Sequence, residues 1–286
     1  MPESFRRAEL AAGALAGCEG AEELLAWAEQ VARAAPAEAV YRQREGRKTL
    51  RVQLEGRTFF LKLHSGVGRR EILKNLARGQ RPVLDASSEF RALRSLAAAG
   101  IATPGVAAYA CSDEAPATRR SMILTDDLTD TLSLEQLCVQ WRSQPPPFAL
   151  RLSVLHAVAD IARRMHGAEW QHRDFYLCHL HVDPARLDRP RPAFYLIDLH
   201  RARRRAPLPQ RWRVKDLAAL YFSAMDCGLT ERDLLRFLRQ YSADGLRQAL
   251  GRNRSMWRRV QKKANRLYVK THGVEPPRPR RGERES

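Results

Sequence analysis

The sequence predicts an α+β protein of two lobes, in which a small antiparallel sheet with one main helix precedes a larger helical lobe. Within residues 38–63, the apolar runs KTLRVQL and RTFFLKL flank a turn-like EGR, which predicts an antiparallel hairpin. A serine in ASSEFRALRSLAAAG can cap a helix that ends at Gly100. After about residue 130 the pattern becomes mostly helical.

These patterns divide the 286 residues into four predicted segments. They are a helical extension over 1–37, the small lobe over 38–125, the helical lobe over 126–272 and a disordered Pro- and Arg-rich tail over 273–286. Two more strands, GVAAYA and SMILTDDL, complete the small lobe. The helical lobe is predicted to hold helices over 132–142, 149–167, 213–227, 230–241 and 255–271.

The charge balance is strongly basic, with 50 Lys and Arg against 32 Asp and Glu and a net charge of +18. Such a field favours anionic partners.

The five cysteines form no C-x-x-C pair, which fits a reducing compartment. Uncharged stretches are far shorter than the ~20 apolar residues of a membrane span. LAGC at 15–18 is similar to a lipoprotein cleavage box, but the apolar run before it is short, so we predict an amphipathic helix over about residues 8–34.

The stretch QHRDFYLCHL contains His172, Arg173 and Asp174, then four residues and then His179. The short strand FYLI leads to Asp198. This order is typical of the H-R-D-x-x-x-x-N and D-F-G segments of protein kinases. Phosphoryl transfer needs one carboxylate that accepts the proton of the attacking hydroxyl and another that holds Mg²⁺. We therefore predict Asp174 as the base, beside His172 and Arg173, and Asp198 as a metal ligand.

Lys62 lies within the apolar strand FFLKL, where an ammonium group is unfavourable without an anionic partner. Glu89, on the following helix, is the predicted partner, with Glu71 as the competing one. We expect this pair to leave Lys62 in contact with the phosphates of ATP.

Two further segments complete the order found in kinases. ILTDDL, which ends near Asp126 and Asp127, falls where the hinge between lobes is expected, and its backbone could bind adenine. Asp216 begins a helix at the position where kinase-like folds brace the catalytic loop with an aspartate. The ordered set predicts a protein-kinase-like fold that uses ATP and Mg²⁺, with Mn²⁺ as the alternative metal.

HRDFYLCHL, LIDLHRAR and RWRVKDLAALYFSAMDCGLT resemble the signature blocks of the lipopolysaccharide core heptose(I) kinases, the WaaP/RfaP family. FFLKLHSGVGRREILKNL and the PPP connector match as well, so the resemblance spans roughly residues 38–270. It implies a cytoplasmic, ATP-dependent sugar kinase that phosphorylates the first inner-core heptose of a lipopolysaccharide glycolipid. It further implies Asp174 as base, Asp198 as metal ligand, Lys62 on phosphate and Glu89 as its orienting partner, with acyl carrier protein as a possible acidic partner.

The sequence departs from the general kinase pattern at three places. His179 replaces the usual Asn, and we predict it as a metal ligand together with Asp198. Because Mg²⁺ prefers oxygen ligands, the alternatives are that only one metal ion is well held or that His179 serves as a hydrogen-bonding residue. D-F-G becomes Asp198-Leu199-His200, which makes a kinase-type activation switch doubtful. The glycine-rich phosphate loop is missing, since REGRKT has one glycine.

Basic residues suggest where an anionic acceptor binds. The candidates are Arg201, Arg203 and Arg204, just past Asp198, and Arg69 and Arg70 in the inserted segment 65–82, for which a solvated helix face is the alternative. From residue 254 onward the chain holds 11 Lys and Arg against 3 acidic residues, so we expect it to lie on the anionic inner-membrane surface as a peripheral protein. A merely solubilising tail is the alternative.

Other functions remain open at this point. The same fold could act on another core heptose, a small molecule or a protein, because fold does not determine substrate. A nucleic-acid-binding protein is suggested only by charge, without a recognition motif, so no nucleic acid partner is expected. A pseudokinase scaffold is suggested by His179 and the missing glycine-rich loop, whereas the presence of Asp174, Lys62 and Asp198 argues against it.

Overall fold

The chain forms two compact units in the structure, which is a computed structural model. The structure describes residues 2–44, 46–66, 68, 85–187, 192–242 and 245–280. Unit 1 comprises Met1–Arg94 and Pro104–Thr129, and unit 2 comprises Ser95–Thr103 and Asp130–Ser286. The main division therefore lies a few residues after the predicted boundary at 125/126, and a short segment around Gly100 belongs to unit 2.

Unit 1 is built on an antiparallel sheet with the strand order β1-β5-β6-β4-β3-β2. Its strands are β1 (Glu3–Arg6), β2 (Val40–Arg44), β3 (Arg47–Leu54), β4 (Arg57–Ser65), β5 (Val106–Cys111) and β6 (Arg120–Asp126). The predicted hairpin is β3–β4, and its turn places Glu55 at φ 50° and Gly56 at φ 74°. Two positive φ values match the twist that a two-residue hairpin turn requires. Lys62 then lies between Thr49 and Ile123 on the neighbouring strands.

The N-terminal segment is part of unit 1 rather than a separate extension. Besides β1 it forms α1 (Ala8–Ala12) and α2 (Ala21–Ala34), so the single helix expected over 8–34 is interrupted. Glycine lowers helix stability by ~1 kcal/mol, and three glycines lie between the two helices. Buried Leu24 and Leu25 of α2 join the core that contains Phe59 and Leu61 of the sheet.

A further helix of the chain is α3 (Ser87–Ala98), and the boundary between the units falls within it. It ends two residues before Gly100, close to the predicted end. Phe90 stacks on Tyr109 of β5 at 4.0 Å between ring centroids. The Ser87 hydroxyl is 2.8 Å from the hydroxyl of Tyr109. These contacts fix the first turn of α3, which carries Glu89.

Unit 2 is mostly helical, as predicted. Its helices are α4 (Leu134–Cys138), α5 (Phe148–Gly167), α6 (Gln210–Ala224), α7 (Glu231–Tyr241), α8 (Gly245–Leu250) and α9 (Arg254–His272). The helix expected over 132–142 is shorter, because Ser133 and Gln136 form a capping box that starts α4 after a short strand. In α9 the buried side chains recur every four residues, which gives one apolar stripe that packs on α6.

Short strand pairs in unit 2 hold the segments that carry the predicted catalytic residues. β8 (Trp170–Gln171) pairs with β11 (Arg203–Arg204). β9 (Leu180–Val182) pairs with both β10 (Phe194–Leu196) and β7 (Leu132–Ser133). The segment between β8 and β9 and the segment between β10 and β11 are therefore each anchored at both ends by a paired strand.

The C-terminal segment is ordered further than predicted. The Arg280 N–H donates to the carbonyl of Leu229 at 3.1 Å, and its guanidinium donates to the carbonyl of Arg142 at 2.8 Å. Arg280 thus lies beside the start of α7, whereas 281–286 are outside the described residues. All five cysteines are free thiols. Among the described helices none has the length and apolar character to cross a membrane.

Candidate active site

Asp216 braces the loop that follows β8. Its two carboxylate oxygens accept hydrogen bonds from the backbone N–H groups of His172, at 2.8 Å, and Arg173, at 2.9 Å. The Asp216 side chain is fully buried, and Arg173 has a φ of 78°, which aims successive N–H groups at one carboxylate. This is the bracing contact predicted for Asp216, and it presents Asp174 at the tip of the loop.

His172 is a buried, neutral part of this loop. Its Nε2–H donates to the carbonyl of Ile197 at 3.0 Å, which ties the loop to the segment that carries Asp198. Burial lowers the pKa of His172, although the nearby charge of Asp216 raises it. Within the described residues its Nδ1 has no hydrogen-bond partner, so protonation would bury an unpaired N–H. The histidine therefore positions the loop.

Asp174 is one-fifth exposed and is bound by an arginine. Nη1 of Arg201 lies 3.0 Å from one carboxylate oxygen of Asp174 and 2.8 Å from the other. Arg201 was predicted to bind substrate, and the structure instead places its guanidinium on the predicted base. A carboxylate held this way has a defined orientation.

His179 links Asp174 to Asp198 as a hydrogen-bond donor. Its Nδ1–H donates to the carbonyl of Asp174 at 2.6 Å, because a carbonyl can only accept, and its Nε2 is 3.4 Å from Asp198. Burial lowers the pKa of His179, but hydrogen bonds with Cys178 and the Asp174 carbonyl and the charge of Asp198 raise it to about 9. This arrangement supports the hydrogen-bonding alternative for His179, and its role as a metal ligand stays a prediction.

Asp198 has the chemistry of a magnesium ligand. It takes a left-handed backbone conformation (φ 59°, ψ 50°) at the start of a short 3-10 turn, and its carboxylate is about one-third exposed beside Nδ1 of His200. The described part of the chain holds no group of three or more acidic, histidine or cysteine ligands for a metal. Mg²⁺ at phosphate-transfer sites needs only one or two carboxylates, since phosphates and water supply the rest. Asp198 therefore fits this ion.

The other predicted acceptor-binding arginines lie close by or outside the described residues. Arg203 stacks over Trp212, with 5.3 Å from the guanidinium carbon to the ring centroid. The exposed Arg204 is 3.5 Å from Glu169. Arg69 and Arg70, like most of the inserted segment, fall outside the described residues.

Lys215 is a cation of this site that reasoning from the sequence missed. Burial lowers the pKa of Lys215, as does the charge of Arg173, whereas Asp174 raises it. Burial and the charges of Arg203 and Arg201 likewise lower the pKa of Arg173, to about 10. Cations thus crowd around Asp174. The only sequence signal for Lys215 was its position immediately before Asp216.

In unit 1, Lys62 forms an ion pair with Glu89. The Lys62 side chain is 24% exposed and that of Glu89 is 3% exposed, so the carboxylate is buried and the ammonium group reaches the surface. Glu89 Oε2 has no hydrogen-bond partner in the described residues. A buried carboxylate is stable only next to a cation, so Lys62 and Glu89 hold each other in place.

Asp126 and Asp127 have partners within unit 1. Their backbone N–H groups donate to the carbonyls of Gly105, at 2.9 Å, and Thr58, at 3.1 Å, so neither is an open donor for adenine. Their carboxylates form ion pairs with Arg7 at 2.5 Å and Arg51 at 2.8 Å. The two residues therefore stabilise the edge of the sheet, and their predicted use in adenine binding must rely on groups other than these amides.

A braced His-Arg-Asp loop, a second aspartate after a short strand and a buried lysine–glutamate pair define a phosphotransferase of the protein-kinase-like class. Comparison with known proteins agrees. The lipopolysaccharide kinase (Kdo/WaaP) family matches residues 31–241. The chain belongs to this family and is an ATP-dependent kinase.

Individual relatives match most of the chain. It is 47% identical over 232 residues to the lipopolysaccharide core heptose(I) kinase WaaP of Pseudomonas aeruginosa, covering 80% of this chain and 86% of that protein. It is 41% identical over 234 residues to the protein of the same name from Escherichia coli K12, covering 81% and 88%. A solved structure of WaaP in complex with acyl carrier protein is 36% identical, with a TM-score of 0.76 and coverage of 93% of this chain and 99% of that one.

Proposed function

We propose that this kinase transfers the γ-phosphoryl group of ATP to a hydroxyl of the first heptose in the lipopolysaccharide inner core. Two relatives named for this reaction share 47% and 41% of the aligned residues. The observation that carries the proposal is the position of Asp174, at the tip of a loop braced by Asp216 and held by Arg201 in a cation-rich setting. Such a setting suits an anionic acceptor.

In the proposed reaction, Asp174 accepts the proton of the heptose hydroxyl as its oxygen forms a bond to the γ-phosphorus. The bond from that phosphorus to the bridging oxygen breaks, and ADP leaves with the electron pair. Lys62, oriented by Glu89, contacts phosphate oxygens. Mg²⁺, with Mn²⁺ as the alternative, is the proposed ion for Asp198, and when bound it neutralises charge on the β- and γ-phosphates. Arg203 and Lys215 add positive charge around the base.

Transfer from labelled ATP to dephosphorylated lipopolysaccharide core tests this proposal. We expect the wild-type protein to label the core and Asp174→Ala to lose at least ~100-fold in rate, since a positioned base contributes this much or more. Asp183→Ala is the matched control, because Asp183 is an aspartate of the same unit paired with a surface arginine at 3.0 Å. It should retain wild-type transfer.

Mass spectrometry of the labelled core identifies the sugar that received phosphate. Label on a second heptose would overturn the assignment to the first, and turnover of ATP with no labelled core would favour a small-molecule or protein acceptor. Absence of ATP binding and turnover with either Mg²⁺ or Mn²⁺ would favour the pseudokinase scaffold. Salt-dependent DNA binding without ATP turnover would favour the nucleic-acid alternative.

We also propose acyl carrier protein as a partner, because the related WaaP of the solved structure is in complex with that protein. Unit 2 contains a cavity of about 330 Å³ with mostly apolar walls. Leu155, Leu220 and Trp257 are among its lining residues, as are Arg254 and Arg258. An apolar cavity with cations beside it suits an acyl chain on an acidic carrier.

Titration calorimetry with acylated and non-acylated carrier protein tests this partner. We expect the acylated form to bind at least ~10-fold more tightly, since each buried methylene contributes ~0.8 kcal/mol. Arg254→Glu should weaken binding, whereas Arg186→Glu, an exposed position elsewhere in unit 2, should not. Equal affinity for the two forms would contradict the use of the cavity.

We propose, finally, that the protein is cytoplasmic and lies on the inner face of an anionic membrane through α9. This helix has seven Lys and Arg, all exposed, and no acidic residue. None of these cations forms an ion pair with a residue that the structure describes. Val269 and Val274 are 40% and 58% exposed beside them. Cations mixed with exposed apolar side chains are typical of helices that lie on membranes.

A further inference from the structure

We propose that Arg201 is a gate on the catalytic base: it occupies Asp174 until an anionic acceptor draws its guanidinium away. The proposal rests on the proposed function and adds the coupling between acceptor binding and base release. In the structure one nitrogen, Nη1, contacts both oxygens of Asp174, at 3.0 and 2.8 Å. Each carboxylate oxygen then has a lone pair engaged by Arg201, which leaves fewer lone pairs to accept a proton from water or from a sugar hydroxyl.

The backbone around Arg201 is fixed while its side chain can move. Arg201 ends the 3-10 turn that begins after Asp198, and the N–H of Ala202 donates to the carbonyl of Leu199 at 2.9 Å. Two residues after Arg201, Arg203 pairs with Gln171 in the β8–β11 ladder. The Arg201 side chain itself is 34% exposed. Its guanidinium can therefore exchange one anionic partner for another without a change in the loop.

The surrounding charges favour such an exchange. Arg173 and Lys215 lie in the electrostatic environment of Asp174 and Arg201, and Arg203 lies in that of Arg173. The two carboxylates of this group, Asp174 and Asp216, are therefore outnumbered by its cations. An acceptor that carries a carboxylate or phosphate next to its reacting hydroxyl supplies the missing negative charge. It offers Arg201 a second partner at the moment when its hydroxyl needs Asp174.

The gate suppresses loss of ATP to water. In hydrolysis a water proton would pass to Asp174, the water oxygen would bond to the γ-phosphorus, and ADP would leave with the electrons of the broken P–O bond. With Arg201 on both oxygens, the lone pairs that its guanidinium engages cannot accept this proton. With the anionic sugar bound, the carboxylate is released and the sugar hydroxyl, not water, lies beside it.

The test measures two rates in the same variants. We expect Arg201→Ala to increase ADP release without acceptor by at least ~10-fold and to decrease kcat/KM for transfer to dephosphorylated core oligosaccharide by a similar factor, mainly through KM, because a hydrogen bond to a charged group contributes this much. Arg201→Lys keeps the positive charge, so its rate of ADP release without acceptor and its kcat/KM for transfer should both lie closer to the wild-type values than those of Arg201→Ala. Arg186→Ala removes a 3.0 Å arginine–aspartate pair at the surface of the same unit and should change neither rate.

A carboxyl-reduced core oligosaccharide gives an independent readout. The wild-type protein should prefer the anionic acceptor over the reduced one by a larger factor than Arg201→Ala does. A purely structural role of Arg201 predicts that hydrolysis and transfer fall together with unchanged preference, and that result would overturn the gate. If Arg201→Ala does not fold, Arg201→Gln takes its place.

The outcomes separate the gate from the proposed function. Increased hydrolysis in the variant without any labelling of the heptose by the wild-type protein would support the gate and contradict the acceptor assignment. Transfer to heptose by the wild-type protein with no increase in hydrolysis in the variant would support the function and contradict the gate. Absence of ATP turnover in every form would overturn both.

Discussion

Single buried carboxylates organise this protein at the scale of residues. Asp216 uses both oxygens to hold the backbone of the loop before Asp174. Glu89 uses one oxygen to hold Lys62, while its other oxygen has no partner among the described residues. In both cases a charge buried away from water is stabilised by specific neighbours, backbone N–H groups for Asp216 and an ammonium group for Glu89. Removal of either carboxylate should thus have effects that are larger than those of an exposed ion pair.

The first prediction concerns Glu89→Gln. The amide keeps the shape of the side chain but loses the charge that orients Lys62, so we expect the KM for ATP to rise about 10-fold. Steady-state kinetics with varied ATP measures this. Glu22→Gln is the matched control, because Glu22 pairs with Arg120 in the same unit at 2.7 Å but is 59% exposed. An unchanged KM in Glu89→Gln would contradict the role of the pair in nucleotide binding.

At the scale of elements, side-chain caps define the starts of two helices in unit 2, α4 and α7. The hydroxyl of Thr230 accepts a hydrogen bond from the N–H of Asp233 at 3.1 Å, and the Asp233 carboxylate accepts one from the N–H of Thr230 at 2.9 Å. This capping box begins α7. Asp233 is only 2% exposed and also accepts from Arg236, at 3.1 Å, with Arg151 3.7 Å away. One carboxylate therefore caps the helix and neutralises two arginines.

The second prediction compares Asp233→Ala with Thr230→Ala. Loss of the threonine cap should lower the free energy of unfolding by ~1 kcal/mol. Loss of Asp233 should lower it by ~3 kcal/mol or more, because two arginine side chains lose their buried partner. Urea denaturation followed by circular dichroism measures both. Similar losses in the two variants would show that Asp233 acts only as a cap.

At the scale of the whole molecule, charge is distributed unevenly. The net charge is +18, and the seven cations of α9 lie on a helix whose opposite stripe is buried. Each basic residue near an anionic membrane surface contributes about 1 kcal/mol of binding free energy. The sum over several cations of α9 is sufficient to bind a protein of this size to the membrane. Salt weakens this attraction, because the Debye screening length is ~10 Å at an ionic strength of 0.1 M.

The third prediction is binding to vesicles of phosphatidylglycerol and not to vesicles of phosphatidylcholine, with loss at high salt. The triple change Lys262→Glu, Arg266→Glu and Lys270→Glu should weaken binding at least ~100-fold in co-sedimentation. The control is Arg186→Glu, Arg232→Glu and Arg239→Glu, which makes the same change in net charge elsewhere in unit 2. Equal losses in both triple variants would show that net charge, and not α9, is responsible. Transfer to a soluble core oligosaccharide should be unchanged in both.

The fold class and the order of the kinase segments could be predicted from sequence because they depend on local pattern. The hairpin at Glu55 and Gly56 is specified by turn chemistry, and the ends of α3 and α7 by capping residues and glycine. The sites of Lys62, Asp174 and Asp198 are specified by their place beside apolar strands. The boundaries that were wrong, such as the interrupted N-terminal helix, depend on glycines whose effect is decided by packing.

Only the tertiary structure decided which residues form hydrogen bonds and ion pairs with one another. Nothing local in the sequence shows that Arg201 lies on Asp174, that Lys215 joins the same group of cations, or that Asp126 and Asp127 use their amides within the sheet. Ion pairs and hydrogen bonds depend on distances of a few ångströms between residues far apart in the chain. The sequence by itself determined the order of the kinase segments and so predicted which residues carry the chemistry of phosphoryl transfer. The packing of the two units, each within itself, decided which neighbours these residues have.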